Sequence, residues 1–213
     1  MWKRITASIL IVAAFPVFML VFFIDPDARQ TTTTAWVEFT SAATATPGDT
    51  NWTSASLALT VSTDYAYSNP NEDQHTYWLK VTNPGTALDA VIGKDIDGIE
   101  VEIVGQGQTG SGRNLLDSDI QLIIGGSLVG ANKADLTTQW ASTATRTYGG
   151  AADLWSLTPD DSDIASSTFG VGVRFIEDGT NAAQMRVASI RVRITYSDPP
   201  ASSFRGGFFA LLN

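Results

Sequence analysis

The chain has 213 residues, no cysteine, a single histidine and a formal net charge of −9. This acidic balance argues against a nucleic-acid partner, because nothing would neutralise the phosphates. The lack of cysteine excludes disulfides and thiolate metal sites. Charged residues make up only 16% of the chain and long helical stripes are absent, so the composition favours an all-β domain with many turns.

The N-terminal segment predicts an exported protein with a membrane anchor. Lys3 and Arg4 precede Ile5–Ile24, a stretch without any charge. As a helix it would span about 30 Å, the thickness of a bilayer core. We therefore predict a signal-anchor or transmembrane helix within residues 1–30, with the rest of the chain outside the cell. A cleaved signal peptide and a helix buried within a particle are the alternatives.

Small residues dominate the next segment. Thr and Ala recur through residues 31–50, a composition typical of a linker. The folded domain is predicted over residues 51–197, and residues 198–213 form a tail that starts at two prolines.

Short strands are predicted along the domain, separated by turns. They are Ser54–Val61, Tyr77–Thr82, Asp119–Ile124, Thr137–Trp140, Thr145–Tyr148 and Phe169–Phe175. Gly105–Gly110 matches a dinucleotide-binding pattern, but no helix follows it, so we predict a hairpin loop. Thr158 and the proline after it predict a helix of one or two turns.

Two amphipathic stretches of opposite charge organise the domain. Apolar and acidic residues alternate in Asp95–Val104, and apolar and basic residues alternate in Ile190–Tyr196. A period of two indicates strands with one buried face. We predict that these strands pair and bring four charges together on one sheet face: Glu100, Glu102, Arg191 and Arg193. The predicted fold is an antiparallel β-sandwich, jelly-roll-like, preceded by the N-terminal hydrophobic helix.

Several phrases in a fixed order resemble one family. They are Tyr77–Asn83, Ile96–Glu102, Gly125–Ala134, Thr147–Gly150, Leu154–Val171 and Ile190–Thr195. This set resembles a family of poorly characterised β-sandwich proteins encoded in phage genomes and in uncultivated prokaryotes. The resemblance covers roughly residues 51 to 196. It implies an exposed structural or binding module of virion or cell-surface type, without a recognised catalytic centre.

Catalytic chemistry finds little support in the sequence. A Ser–His–Asp hydrolase could use only His75, which is predicted in a polar loop without a nucleophile-elbow motif. We therefore predict that the protein is not an enzyme.

Two kinds of binding site are predicted instead, with no cofactor other than calcium. Closely spaced carboxylates in loops suit Ca²⁺, which takes oxygen ligands, and the candidates are Asp95, Asp97, Asp117 and Asp119. Aromatic residues near predicted loops could form a platform for a surface glycan, and the candidates are Tyr65, Tyr67, Trp140, Tyr148 and Trp155. Core burial is the alternative for these aromatic residues, and it is favoured over the platform because large aromatic side chains dominate the burial of protein cores.

The tail carries a group of apolar side chains that predicts an assembly contact. They are Phe204, Phe208, Phe209, Leu211 and Leu212. Leaving such side chains in water forgoes about 1.5–3 kcal/mol each. We predict that they dock on a second copy of the chain or on an assembly partner. A frayed terminus is the alternative.

The predicted function is a non-enzymatic structural or assembly subunit. It would display its β-sandwich on a cell surface, an extracellular filament or a virion. The alternative is a carbohydrate-binding surface adhesin, assisted by calcium or acting without it.

Overall fold

The structure is a computed structural model that describes residues 8–10, 21–23 and 29–200. The chain divides into two compact units: residues 1–30 with 200–213, and Thr31–Pro199. In the first unit, β1 (Ser8–Leu10) pairs antiparallel with β2 (Val21–Phe23).

The predicted N-terminal helix is not found in the described part of the first unit. Two segments of Ile5–Ile24 are described there, and both are strands. Among the described residues, no helix has the length and apolar character needed to cross a membrane. The other residues of this segment, and the tail from residue 201 onward, lie outside the described residues.

The second unit is an antiparallel two-sheet β-sandwich. Its strands in chain order are β3 (Thr31–Thr33), β4 (Val37–Glu38), β5 (Ser41–Ala45), β6 (Ala66–Ser68), β7 (Gln74–His75), β8 (Trp78–Thr82), β9 (Asp95–Gly107), β10 (Leu115–Ile124), β11 (Ser127–Val129), β12 (Ala144–Gly150), β13 (Gly170–Glu177) and β14 (Met185–Ser197). One α-helix, α1 (Asp161–Ile164), and two 3₁₀ helices, Ala55–Ala58 and Asp89–Val91, lie between them.

Each sheet is built around a pair of long strands. In the first sheet, β9 lies between β12 and β14, and the far side of β14 pairs in turn with β3, β4 and β6. In the second sheet the order is β11–β10–β13–β8–β5, and β7 also pairs with β13. This confirms the predicted antiparallel sandwich. Its jelly-roll-like character stays a prediction.

The pairing of β9 with β14 confirms the predicted charge contacts. Arg191 lies opposite Glu102, and Arg193 lies opposite Glu100. The Arg191 Nε donates to Glu102 Oε1 at 2.9 Å, and the Arg193 Nε donates to Glu100 Oε2 at 2.9 Å. The intervening apolar side chains of both strands are fully buried and form the core. Alternation therefore sets the face that each strand buries, and the ion pairs mark the opposite face.

A buried carboxylate connects the second sheet to the first. Asp117 of β10 is fully buried, and it accepts hydrogen bonds from Trp140 Nε1 at 2.6 Å and from the Tyr148 hydroxyl at 2.8 Å. The backbone N–H of Asp135 donates to it at 3.0 Å, and Arg146 Nη1 lies 3.6 Å from its Oδ1. Asp117 thus accepts three hydrogen bonds and has a guanidinium nearby, the kind of compensation that a buried charge requires.

The predicted linker is wrong as an element, because residues 31–50 contain three strands of the sandwich. They are β3, β4 and β5. These strands are short and mostly exposed, so they show no buried alternation, and ladder hydrogen bonds to β14 and β8 hold them.

Three other predicted elements are also corrected. Ser54–Val61 is not a strand: Ser54 has left-handed backbone (φ 56°) and the 3₁₀ helix Ala55–Ala58 follows it. Thr137–Trp140 is not a strand either. It is irregular, and the Trp140 side chain at its end points inward and donates to Asp117. The helix begins after Asp160, whose side chain accepts from Asp163 N in a reciprocal capping box, and not after Thr158.

We predict that Asp117→Ala destabilises the sandwich by about 3–5 kcal/mol, because it leaves Arg146 and two buried aromatic donors without their partner. Asp119→Ala on the same strand is the matched control. Asp119 pairs with Arg174 at a partly exposed position, so its loss costs about 1 kcal/mol. Urea unfolding of both variants measures the difference, and equal losses would contradict the central role of Asp117.

Candidate ligand-binding site

Three arginines of β14 lie opposite residues of β9, and the third has no carboxylate opposite it. Arg193 faces Glu100 and Arg191 faces Glu102, but Arg186 faces Gln106. The register shifts between Val187 and Ser189, at a β-bulge. Arg186 therefore continues the row of outward side chains, and its opposite residue is a neutral amide.

Two tyrosines lie on the other side of Arg186. Tyr67 of β6 is its cross-strand neighbour, and the Tyr65 and Tyr67 rings meet edge to face with centroids 6.4 Å apart. The Arg186 guanidinium carbon lies 4.4 Å from the Tyr65 ring centroid. Both tyrosines are half-buried, so part of each ring surface is open to solvent.

Tyr65 and Arg186 line an open groove on the first sheet, which we call the Tyr65–Arg186 groove. One part has a volume of ≈ 310 Å³ and is lined by Ser62, Thr63, Tyr65, Val104, Gly105, Gln106, Thr143, Arg186 and Ala188. The adjoining part has a volume of ≈ 410 Å³ and is lined by Gln106, Gly107, Gln108, Thr109, Gln184 and Arg186. The two parts share Gln106 and Arg186, and no acidic side chain lines either one.

The polar groups of the groove fall into two sets. Gln184 is bonded at both ends of its amide: its Oε1 accepts from Arg186 Nε at 2.5 Å, and its Nε2 donates to Asn69 Oδ1 at 2.9 Å. Within residues 29–200, by contrast, the Gln106 amide and the terminal nitrogens of Arg186 form no side-chain hydrogen bond. These groups remain available to a ligand, and Gln184 fixes the arginine that presents them.

The loops beside the groove are tied together by Glu177. This buried carboxylate accepts from the backbone N–H of Asn114 at 2.6 Å and of Gly179 at 2.9 Å, both through Oε1. Its Oε2 is buried without a hydrogen-bond partner. Burial raises the pKa of Glu177, against the lowering effect of the two N–H donors.

Of the five predicted aromatic platform residues, Tyr65 alone lines the groove, and Tyr67 lies beside it in edge-to-face contact with Tyr65. Trp140 and Trp155 are fully buried, and Tyr148 is buried as well. They are core residues that cannot offer a ring face to a ligand, so that part of the platform prediction is wrong. Burial and the nearby Asp117 carboxylate raise the pKa of Tyr148 far above its ordinary range, which keeps its hydroxyl a donor.

The glycines of the dinucleotide-like pattern serve packing. Gly105 and Gly107 belong to β9 and not to the predicted hairpin loop. A Cβ at Gly107 would collide with the Trp140 carbonyl oxygen, and one at Gly105 would lie 3.1 Å from the Trp140 ring. These glycines therefore admit the buried Trp140 beneath the groove.

The four predicted calcium ligands are separated in two places. Asp119 lies past a bulge from Asp117 and bonds to Arg174 Nε at 2.8 Å. Asp97 accepts from Ser197 Oγ at 3.2 Å at the start of β9, where Asp95 also lies. The described residues contain no group of three or more acidic, histidine or cysteine side chains that could hold a metal. A calcium site stays a prediction without a ligand cluster to support it.

His75 is in β7 and not in the polar loop predicted for it. Its Nδ1 lies 3.0 Å from Ser118 Oγ, and that hydroxyl donates to Asp119 at 2.7 Å. A hydroxyl has one proton, so the His75 Nδ1 must donate to Ser118. This order, with serine between histidine and aspartate, is opposite to the one that activates a serine nucleophile.

The sequence analysis missed the polar half of the groove. The groove brings together Gln106, Gln108, Gln184 and Arg186. Their convergence depends on the β14 bulge and on two loops, and no local sequence pattern predicts either. The one signal in the sequence was a difference in number: β14 carries three arginines, Arg186, Arg191 and Arg193, and the partner strand offers only two glutamates.

Comparisons with known proteins do not assign the chain to a family. No protein-family model and no curated protein matches the chain. A family 11 carbohydrate-binding module of the cellulosomal cellulase Lic26A-Cel5E of Clostridium thermocellum is similar with a TM-score of 0.32 and 11% identity, over 89% of this chain and 95% of the module. A structure of infectious bursal disease virus, Gx strain, matches with a TM-score of 0.23 and 11% identity, over 93% of this chain and 43% of the viral one. No family is assigned, and at these scores neither likeness identifies a ligand or a partner.

We predict that Glu177 makes the protein less stable as the pH rises. The folded state holds the Glu177 proton more tightly than the unfolded chain does, because its pKa is raised. Its contribution is complete below about pH 4.3, the unfolded value, and is lost as the pH rises through the folded pKa.

Glu177→Gln removes this titration. The stability of the wild type relative to the variant should therefore fall between pH 4 and pH 7, measured by urea unfolding at each pH. A difference that rises with pH, or does not change, would show that folding does not raise the pKa of Glu177.

Proposed function

We propose that the sandwich is a non-catalytic carbohydrate-binding module of an exported surface protein, with the Tyr65–Arg186 groove as its site. The observation that carries this proposal is a half-exposed tyrosine ring, held by a guanidinium and flanked by amides, in an open groove. The predicted adhesin alternative is thereby preferred to the predicted structural subunit.

The chemistry of the groove suits a sugar ring. A pyranose offers an apolar C–H face and hydroxyls around its edge. The Tyr65 ring supplies a flat apolar surface, and the Gln106 amide supplies a donor and an acceptor in one plane. Binding sites of this kind combine aromatic surface with a few placed polar groups.

The absence of catalytic function is part of the proposal. The Ser118–His75 contact has the wrong order for a serine nucleophile, and it belongs to the second sheet, whereas the groove is on the first. Neither part of the groove is lined by a carboxylate pair of the kind used in glycoside hydrolysis.

We predict that Tyr65→Ala weakens glycan binding by about tenfold or more, because the apolar face of the sugar loses its stacking surface. Tyr65→Phe keeps the ring and should retain most of the affinity. Binding of both variants to a glycan array and by calorimetry tests this.

Trp36→Ala is the control for that series. Trp36 directly precedes β4 of the same sheet, and its ring centroid lies 4.6 Å from the Arg193 guanidinium carbon, outside the groove. The Trp36→Ala variant should bind glycan with the affinity of the wild type. If no glycan is bound by the wild type, or if Tyr65→Ala binds normally, the proposed function fails.

The structural or assembly subunit remains a second proposal, and the apolar tail sequence supports it. Phe204, Phe208, Phe209, Leu211 and Leu212 lie outside the described residues. We predict that deleting residues 204–213 lowers the oligomeric mass measured by light scattering, because these side chains would bury apolar surface between copies. An unchanged oligomeric mass would show that the tail is not an assembly element.

A further inference from the structure

Arg186 differs from the other arginines that stack on aromatic rings. Arg146 lies over Trp140, Arg174 over Trp78, and Arg191 and Arg193 over Trp36. Each of these four is also within 4 Å of a carboxylate: Asp117, Asp119, Glu102 and Glu100, respectively. Within residues 29–200, Arg186 stacks on Tyr65 without any such ion pair.

The positive charge of Arg186 is therefore unneutralised in a protein whose net charge is −9. The residue opposite it on β9 is Gln106, and its cross-strand neighbour on β6 is Tyr67. Its Nε is used by Gln184, which leaves the two terminal nitrogens free in the groove. Asp64 is next to Tyr65 in the sequence, but it is exposed and does not line the groove.

We propose that the Tyr65–Arg186 groove selects acidic glycans, whose carboxylate or sulfate group pairs with Arg186 while the sugar ring stacks on Tyr65. This inference rests on the proposed function. Guanidinium presents a planar fork of donors that matches the oxygens of such an anion, and charge-assisted pairs of this kind are about twice as strong as neutral hydrogen bonds. Gln106, beside it, can donate to a neighbouring hydroxyl and does not repel the anion.

The negative net charge of the protein does not prevent an anion from binding at Arg186. At physiological ionic strength the Debye length is about 8 Å, so exposed acidic groups farther away are largely screened. The contact between Arg186 and an anion lies inside that distance. We therefore expect the groove itself to decide the preference.

The first experiment uses the wild-type protein alone. Tetragalacturonate is compared with its methyl ester, and a sulfated galactan oligosaccharide with its desulfated form, with cellotetraose as the neutral probe. Calorimetry should show the acidic member of at least one pair bound about 10- to 100-fold more tightly than its neutral form. The pair that responds identifies carboxylate or sulfate as the anion.

The second experiment uses two variants that remove the same charge from the same strand face. Arg186→Gln should lose the acidic preference, so that the acidic and neutral members of the responding pair bind with similar affinity. Arg193→Gln should retain the preference, because Glu100 already neutralises Arg193.

The outcomes separate this inference from the proposed function. Equal binding of both members in every pair, binding of cellotetraose only, or an acidic preference that survives Arg186→Gln overturns the acidic selection and leaves a neutral glycan module. Failure to bind any probe, here and on the glycan array, overturns both.

Discussion

The pairing of β9 with β14 is the constraint on which the rest of the first sheet depends. These are the two longest strands, and every other strand of that sheet pairs with one of them. A slip of one residue would bury Glu100 and Glu102 and expose Ile99 and Val101. The cost of burying unpaired charge is several kcal/mol per group, so a register shifted by one residue is not stable. The Glu–Arg pairs add little energy individually, but they are correct in this register alone.

The candidate site is a consequence of how that ladder ends. Two arginines of β14 meet glutamates, and then a bulge inserts Ala188 before the strand reaches Arg186. The extra residue keeps Arg186 on the outer face, opposite an amide. The same end of β9 carries Gly105 and Gly107, which admit Trp140 from below. Trp140 in turn donates to the buried Asp117. The groove is thus built on the buried polar cluster, and the stability of one supports the geometry of the other.

The sequence was informative wherever apolar and charged residues alternated along one strand. It predicted the β9–β14 contacts, because alternation and opposite charge are local signals. It placed Trp140, Tyr148 and Trp155 near loops and favoured core burial over a binding platform, but it could not name the partners that burial requires. Their polar atoms need partners inside the molecule, and those partners, Asp117 and the Ile99 carbonyl, are 23 to 56 residues away. The short strands of residues 31–50 were missed for a similar reason: ladder hydrogen bonds to distant strands stabilise them, and their side chains carry no pattern.

Arginine plays two roles in this protein, and the difference lies in the partner available to the guanidinium. Where a carboxylate is within reach, stacking on an aromatic ring and ion pairing together hold the side chain, and the arginine stabilises the fold. At Arg186 the ring and the Gln184 amide hold the guanidinium in place, but the charge is left for another molecule. Its orientation is set before any ligand arrives, so binding does not have to order a long flexible side chain, a cost of about 0.5–1.5 kcal/mol. A preorganised charge that no carboxylate of the described residues neutralises, next to an open ring face, is what distinguishes the proposed site from the rest of this sheet.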